Sequence, residues 1–233
     1  DWPLWKMALT LLPLLALDGL FVAANMEKIP HGGWLPLAFG ALLLLVFSTW
    51  NRGRLLLRTE RKRSGIALEP FLKSLETYPP LRVDGTAVFM AGSVDVVPRA
   101  LLHNLKHNRV LHARNIVLSI RTASVPHVPS EERATYVKVD KNFARVVLKY
   151  GFMETPDVPN DLALAIPVKD APLDYMMTSY FMGKSVLAAS KDEGLPFWQD
   201  IILIFLQRNA YNPAEFFGIP SNRIVALGGQ VVI

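Results

Sequence analysis

Three histidines in one stretch of the chain are the residues whose spacing first suggests chemistry. His103 and His107 are four residues apart in a segment with helical periodicity, and His112 follows just beyond it. Imidazoles at that spacing can share a metal ion, but a complete site needs a carboxylate or a further histidine. Because no acidic residue lies nearby in sequence, we interpret them as helix-surface or headgroup-facing histidines and predict no metal site.

Two glycine-containing segments are the candidates for binding a phosphate, residues 91–99 (AGSVDVVPR) and residues 226–232 (ALGGQVV). We interpret both as turns, in which backbone N–H groups can face an anion. Neither segment matches a P-loop or a dinucleotide-binding fingerprint. The phosphate signal is therefore weak, and we assign no cofactor to it.

Residues typical of enzyme active sites are absent or lack the right surroundings. The chain has no cysteine, which excludes disulfides, thiolate nucleophiles and cysteine zinc sites. Its serines and aspartates lack the context of a nucleophile elbow. The paired acids Glu131 and Glu132 lie in a proline-containing loop and are expected to be solvated. We therefore predict no catalytic residues and no enzymatic activity.

The strongest pattern is a pair of apolar segments near the start of the chain. Residues 7–24 contain one charge, Asp18, and residues 34–50 contain none, with tryptophans flanking both segments. A helix that spans about 30 Å of hydrocarbon needs about 20 apolar residues, with a lower limit near 17, and interfacial tryptophans are typical of such helices. The first segment does not match a signal peptide, which has a basic start, a shorter apolar core and a cleavage site. The pattern therefore predicts two transmembrane helices within residues 1–50.

The charges that flank the apolar segments indicate their orientation. Residues 51–63 carry six basic side chains and one acid, whereas the link at residues 25–33 is short and neutral. Since positive residues stay inside, we expect the link outside and the rest of the chain in the cytoplasm. The basic run is a topology determinant or, alternatively, a site for anionic headgroups. Residues 64–233 are nearly neutral, with seventeen basic and sixteen acidic residues, so we expect no nucleic-acid partner.

Asp18 has two interpretations, because an acid inside a membrane is costly and usually faces a protein interior or a water path. It is either a functional residue or a polar contact to a neighbouring helix. Two helices cannot enclose an ion path, and their small and polar residues imply helix neighbours outside this chain; these residues are Asp18, Gly19, Asn25, Gly32, Gly33 and Gly40. The chain also begins with Asp1 rather than Met, so we expect a fragment or a processed chain.

The remainder of the chain reads as a basic segment with a connector helix (residues 51–80) and an α/β or α+β domain with a mixed sheet (residues 81–233). We predict the connector helix at 67–77, a parallel strand–helix–strand unit at 86–90, 98–108 and 115–120, an antiparallel pair at 133–140 and 143–151, a short helix at 161–166, a strand at 178–183, an apolar helix at 197–209 and a final strand pair or edge strand. The helix at 197–209 is so apolar that we expect it to be buried against the sheet.

Several long motifs then resemble one family. Residues 24–40 and 49–57 resemble the last two membrane helices of the Kup/HAK/KT potassium-uptake family. Residues 97–122 look like the most recognisable stretch of that family's C-terminal domain, and motifs at 149–164, 178–183 and 216–231 follow in the family's order. The resemblance covers the chain from about residue 14 to Ile233, and only the loop at 183–194 departs from the family pattern.

The resemblance implies a multi-pass protein of the cell inner membrane that takes up potassium together with protons through twelve helices. Transporters of this build hold their ion on broken helices near the midplane, which in this family come early in the chain. The resemblance therefore assigns no potassium ligand to these residues. It also implies a homodimer, and control of some relatives by cyclic dinucleotides.

Two functional hypotheses result. In the first, the chain is the C-terminal part of a potassium transporter and contributes late membrane helices and a regulatory or assembly domain, without transport of its own. In the second, it is a membrane-tethered sensor that binds a nucleotide or a protein partner.

Overall fold

Two long helices and a mixed β-sheet make up the computed structural model, which describes residues 3–63, 65–168, 170–188, 195–210 and 213–232. The chain divides into two compact units, Asp1–Arg54 and Leu55–Ile233. Helix α1 (Leu4–Met26) and helix α2 (Trp34–Arg63) are both long and apolar enough to cross a membrane. The two predicted spans are therefore confirmed as helices. Helix α2 continues through the basic run because residues 51–63 are rich in Arg, Leu, Lys and Glu, all good helix formers.

The link between the two helices is a tight π-helical turn, Ile29–Gly33. The carbonyl oxygen of Lys28 accepts hydrogen bonds from the backbone N–H groups of His31 at 3.1 Å and of Gly33 at 2.9 Å. Gly32 has a φ of 114°, which L side chains rarely adopt, and a Cβ at Gly33 would lie 2.8 Å from the Lys28 oxygen. The two glycines therefore allow the chain to bend between α1 and α2.

The described residues of the second unit contain a six-stranded sheet in the order β3-β4-β2-β1-β5-β6. Its strands are β1 (Leu81–Met90), β2 (Val110–Thr122), β3 (Ala134–Lys138), β4 (Phe143–Tyr150), β5 (Thr178–Ala188) and β6 (Ile224–Val232). All neighbouring strands are parallel except β3 and β4, which are antiparallel. The predicted mixed sheet, the parallel strand–helix–strand unit and the antiparallel pair are thus confirmed.

Six α-helices accompany the strands in the described part of this unit: α3 (Leu68–Thr77), α4 (Arg99–Asn108), α5 (Ser130–Arg133), α6 (Val158–Ala165), α7 (Phe197–Arg208) and α8 (Pro213–Phe216). Alternate strand residues point to opposite faces, so Ala87 and Phe89 of β1 pack with α3 and α4, whereas Val88 packs with α6. The domain therefore has two apolar cores, one on each face of the sheet.

Two expectations about this unit are wrong. Helix α7 forms as predicted, but Gln199, Asp200 and Leu203 are its buried residues, and much of its apolar surface is exposed. A helix that is apolar almost all round does not reveal which face meets the domain. The second correction concerns residues 226–232, which are not a turn. They lie within β6, where Gly228 pairs with Lys184, so the predicted final edge strand is confirmed.

Candidate functional site

The carboxyl ends of β1 and β5 mark the place where an open α/β sheet usually binds ligands. The chain passes from β1 to β2 on one side and later returns to β5 on the other side of β1. Ligands of such sheets bind outside the carboxyl ends of the strands at this change of direction. The loop of residues 91–98 leaves β1 here, so the first glycine-containing segment from the sequence lies at the expected position.

Hydrogen bonds tie this loop to the residues just before α3. The N–H of Val97 donates to the carbonyl of Ile66 at 2.9 Å, and the N–H of Leu68 donates to the carbonyl of Asp95 at 2.9 Å. The N–H of Asp95 in turn bonds the hydroxyl of Ser93 at 3.3 Å. Because these N–H groups are used within the protein, the loop acts as an attachment point for the connector more than as an anion cradle.

Arg145 completes the attachment from the sheet. Its guanidinium lies 3.2 Å from the carboxylate of Glu69 on α3 and 3.5 Å from that of Asp95 in the loop. The Arg145 side chain is largely buried, whereas both carboxylates are mostly exposed. One side chain of β4 thus bridges the connector helix and the loop after β1. We call this arrangement of Glu69, Asp95 and Arg145 the connector junction.

Arg145 is not among the residues predicted from the sequence, although a signal for it was present. Arg145 is two residues after Phe143 on β4, so the two side chains point to the same face of the sheet. Phe143 belongs to the apolar core on the α3 side of the sheet. A basic residue at an inward-facing strand position needs a charged partner. The identity of the partners was not readable, because Glu69 is 76 residues away.

Two shallow depressions lie at the opposite, amino ends of the strands. The larger, about 290 Å³, is lined by the end of α3 and residues 140–143, and the smaller, about 160 Å³, contains Arg114, Tyr136, Lys138 and Asp170. Ligand pockets usually measure about 300–1,000 Å³, so neither is large. In the smaller one, Lys138 and Tyr136 both bond the carboxylate of Asp170.

Asp170 is the centre of the smaller depression. It accepts hydrogen bonds from the Lys138 ammonium at 2.5 Å and from the Tyr136 hydroxyl at 2.9 Å, and both lower its pKa, Lys138 the more. The guanidinium of Arg114 donates to the backbone carbonyl of Ala171 at 2.5 Å. These bonds stabilise the loop around residue 170, although the second terminal nitrogen of Arg114, Nη2, is buried without a hydrogen-bond partner among the described residues.

A second polar cluster that the sequence did not reveal closes the end of β4. The carboxylate of Glu154 accepts from the N–H of Gly151 and from Arg133, both at 2.5 Å, and these bonds lower its pKa. The buried hydroxyl of Tyr150 donates to Asp161 at 2.7 Å, and burial together with that carboxylate raises the pKa of Tyr150 far above its usual value. The cluster is structural, because its members satisfy one another.

The three histidines of the sequence analysis have separate packing roles. The rings of His103 and His107 stack with centroids 5.9 Å apart, and His112 meets the ring of Phe181 edge-on at 5.6 Å. Burial lowers the pKa of His112. A Cβ at Gly229 would lie 3.2 Å from the His103 ring, so this glycine of β6 lets α4 approach closely. The residues that the structure describes include no group of three or more His, Asp or Glu side chains that could hold a metal ion.

The two long helices expose their side chains to the surroundings. In the most apolar 18-residue stretch of α1 no residue is buried by the protein, and in the corresponding stretch of Ile29–Thr59 the buried share is 6%. Asp18 is exposed, and within the described part of the chain its carboxylate has no hydrogen-bond or ion-pair partner. Glu131 and Glu132 are exposed, as predicted.

Comparisons with known proteins identify both units. Residues 1–55 match a family model described as the K+ potassium transporter integral membrane domain, and residues 84–233 match one described as the K+ potassium transporter C-terminal domain. No solved structure matches the chain.

Similar proteins carry matching names. A probable potassium transport system protein Kup 1 of Rhizorhabdus wittichii is 48% identical over 96% of this chain and 34% of its own length. A Kup protein of Caulobacter vibrioides is 43% identical over 98% of this chain and 35% of its own, and one of Azoarcus sp. is 45% identical over 99% and 36%. The chain therefore spans about a third of the length of the curated relatives that it matches.

Proposed function

Because this chain belongs to the Kup family of potassium transporters, we propose that it serves as the C-terminal part of a proton-coupled potassium uptake transporter. The observation that carries the proposal is the match of two transporter domains in succession, an integral membrane domain and then a C-terminal domain. The relatives are named as potassium transport proteins, so the proposed role is transport rather than catalysis.

In this proposal α1 and α2 are late membrane helices of the transporter, within residues 1–50. Their side chains are almost entirely unburied by this chain, and Asp18 has no partner in its described residues. Polar and small residues in a membrane helix normally face other helices. This supports a larger helical bundle in which the ion path is formed by helices outside residues 1–233.

Residues 81–233 form the cytoplasmic regulatory or assembly domain in this proposal, joined to the membrane by residues 51–80. The connector junction supports such a role, because Arg145 and the loop after β1 hold α3 on the sheet. A shift of the sheet is then transmitted to the connector, and a ligand or second subunit that moves the domain acts on the membrane helices.

The test uses a chimera. Residues 1–233 replace the aligned region of the Caulobacter Kup protein, and the chimera is expressed in a cell that lacks potassium uptake. We expect growth at low external potassium from the chimera, and no growth from residues 1–233 alone although they reach the membrane. Uptake by the chimera should collapse when a protonophore removes the proton gradient.

The outcomes that contradict the proposal are specific. Rescue by residues 1–233 alone would show that the ion path is not missing from this chain. A chimera that is abundant in the membrane but transports nothing would contradict the assignment to a potassium transporter.

The chimera carrying Arg145→Met tests the domain's role, with Lys149→Met, an exposed neighbour on β4, as the matched control. A regulatory junction predicts altered uptake in the first at unchanged abundance.

The sensor hypothesis is the second candidate, and the observation that favours it is the change of direction beside β1, where open α/β sheets usually bind ligands. Here a cyclic dinucleotide binds the cytoplasmic domain and the subunits pair as homodimers. Calorimetric titration of the purified chimera with a cyclic dinucleotide, and its mass by light scattering, test these two expectations separately.

A further inference from the structure

Helix α7 exposes a continuous apolar face. Phe197, Trp198, Ile201 and Phe205 are 53%, 48%, 52% and 64% exposed, although they are among the most apolar side chains of the domain. We call these four residues the aromatic face of α7.

The four residues share one side of the helix. At 100° per residue, positions 197, 198, 201 and 205 fall within about a third of the circumference. Gln199, Asp200 and Leu203 fall on the opposite side and are buried. The helix therefore buries a side that includes two polar residues, and its aromatic side is exposed.

The charged residues of α7 are also divided between its buried and its exposed side. Its one acid, Asp200, has no exposed surface, while Arg208 at the carboxyl end of the helix is exposed. The exposed side thus carries no negative charge that would be repelled by anionic lipid headgroups.

We propose that the aromatic face of α7 inserts into the interfacial region of the bilayer that holds α1 and α2. Helices that lie in this region place Trp, Phe and aliphatic side chains among the upper acyl chains and basic residues among the headgroups. Since the domain is tethered to the same bilayer through α2, the insertion is intramolecular and a small face suffices. The proposal rests on the membrane location of the chain and does not depend on potassium uptake.

A second copy of the chain is the competing occupant, and the size of the face argues against it. A large aromatic side chain presents about 150–250 Å², so four side chains that are about half exposed offer roughly 400 Å². A stable protein interface buries about 800 Å² on each partner. A lipid surface, in contrast, needs neither this area nor a complementary shape.

Spin labelling tests the proposal directly, because the chain has no cysteine of its own. The variants Ile201→Cys and Phe205→Cys are labelled with a nitroxide, and the full chain is reconstituted into vesicles of zwitterionic and anionic phospholipid. Collision rates with oxygen, which concentrates in lipid, and with a water-soluble nickel complex are then measured. We expect high oxygen and low nickel accessibility at both positions.

Two controls accompany the measurement. Val137→Cys on β3, also half exposed and apolar, should be open to nickel, since β3 carries no continuous apolar face. Leu42→Cys in α2 should be open to oxygen alone, because it reports the insertion of the span. A second variant, Ile201→Glu with the label at 205, should raise nickel accessibility several-fold by removing the face from the lipid.

Each other outcome overturns the proposal. Labels at 201 and 205 that are shielded from both reagents indicate coverage by protein, either a second copy or another chain. Labels as open to nickel as the one at 137 indicate a face that stays in water. If the label at 42 is open to nickel, the span itself is not inserted, and the proposal fails with its premise.

Discussion

Side chains that lie far apart in the sequence stabilise the second unit through buried polar contacts. The Tyr150 hydroxyl bonds Asp161, and the Arg145 guanidinium reaches Glu69 and Asp95 from another element. The ion pairs of Arg145 contribute little to stability, typically below about 1 kcal/mol, because the carboxylates of Glu69 and Asp95 are mostly exposed to solvent. A buried hydrogen bond to a carboxylate contributes more, since its loss leaves an unpaired group.

Replacing Tyr150 with phenylalanine should therefore destabilise the domain by about 1.5–3 kcal/mol, because the variant removes a charge-assisted hydrogen bond inside the protein. Tyr150 is buried, so the ring itself remains packed. Chemical denaturation of the full chain in detergent, followed by circular dichroism, measures the change. The control is Tyr78→Phe, which alters an exposed ring. Equal stability of Tyr150→Phe and the wild-type chain would show that the bond to Asp161 contributes nothing.

At the scale of elements, close backbone approaches determine how strands and loops meet. Gly151 ends β4, and a Cβ there would overlap the carbonyl oxygen of Pro126 and lie 2.6 Å from the backbone nitrogen of His127. Backbone atoms cannot move aside as a flexible side chain does. The glycine is thus required for the loop at residues 126–127 to pack on the strand end.

We expect Gly151→Ala to lower the thermal stability of the domain, by about 1–3 kcal/mol as for other overpacked sites. Gly92→Ala is the matched control, because a Cβ at Gly92 meets nothing within 4 Å. Thermal unfolding of both variants in detergent gives the comparison. If the two variants unfold at the same temperature, the predicted clash is relieved without cost.

The apolar helices α1, α2 and α7 differ in length and in the surface that they expose. Helices α1 and α2 each contain an apolar stretch long enough to cross a membrane, whereas α7 is short and exposes one apolar face. Length separates α1 and α2 from α7, but only the tertiary structure shows which side of α7 is buried.

For the whole molecule, the positive-inside rule predicts one topology. This topology would have the link at residues 25–33 outside and residues 64–233 inside, because six basic residues lie at the C-terminal end of α2, within residues 51–63.

Cysteine scanning of intact cells tests this topology. Glu27→Cys in the link should react with a membrane-impermeant maleimide, and Val137→Cys on β3 should react only after the cells are permeabilised. Both side chains are exposed, so accessibility within the protein does not limit the reaction. Labelling of residue 137 in intact cells, with residue 27 protected, would reverse the proposed orientation.

The sequence by itself determined the two spans, the order of most helices and strands, the strand–helix–strand unit and the family. These features depend on the length and period of apolar segments and on motifs that are contiguous in the chain. Helix α3 and strand β5 could be placed within a few residues for the same reason. The sequence also indicated the glycine-containing loop after β1, although not its bonding partners.

Only the tertiary structure decided the position of β5 beside β1, the connector junction and the exposed side of α7. The second glycine segment likewise became interpretable only when β6 was seen to pair with β5 and to lie under His103. Each of these features depends on contacts between residues far apart in the chain, such as Glu69 and Arg145. Local periodicity indicates that a surface is apolar, but the packing of the whole domain decides whether other parts of the protein cover that surface.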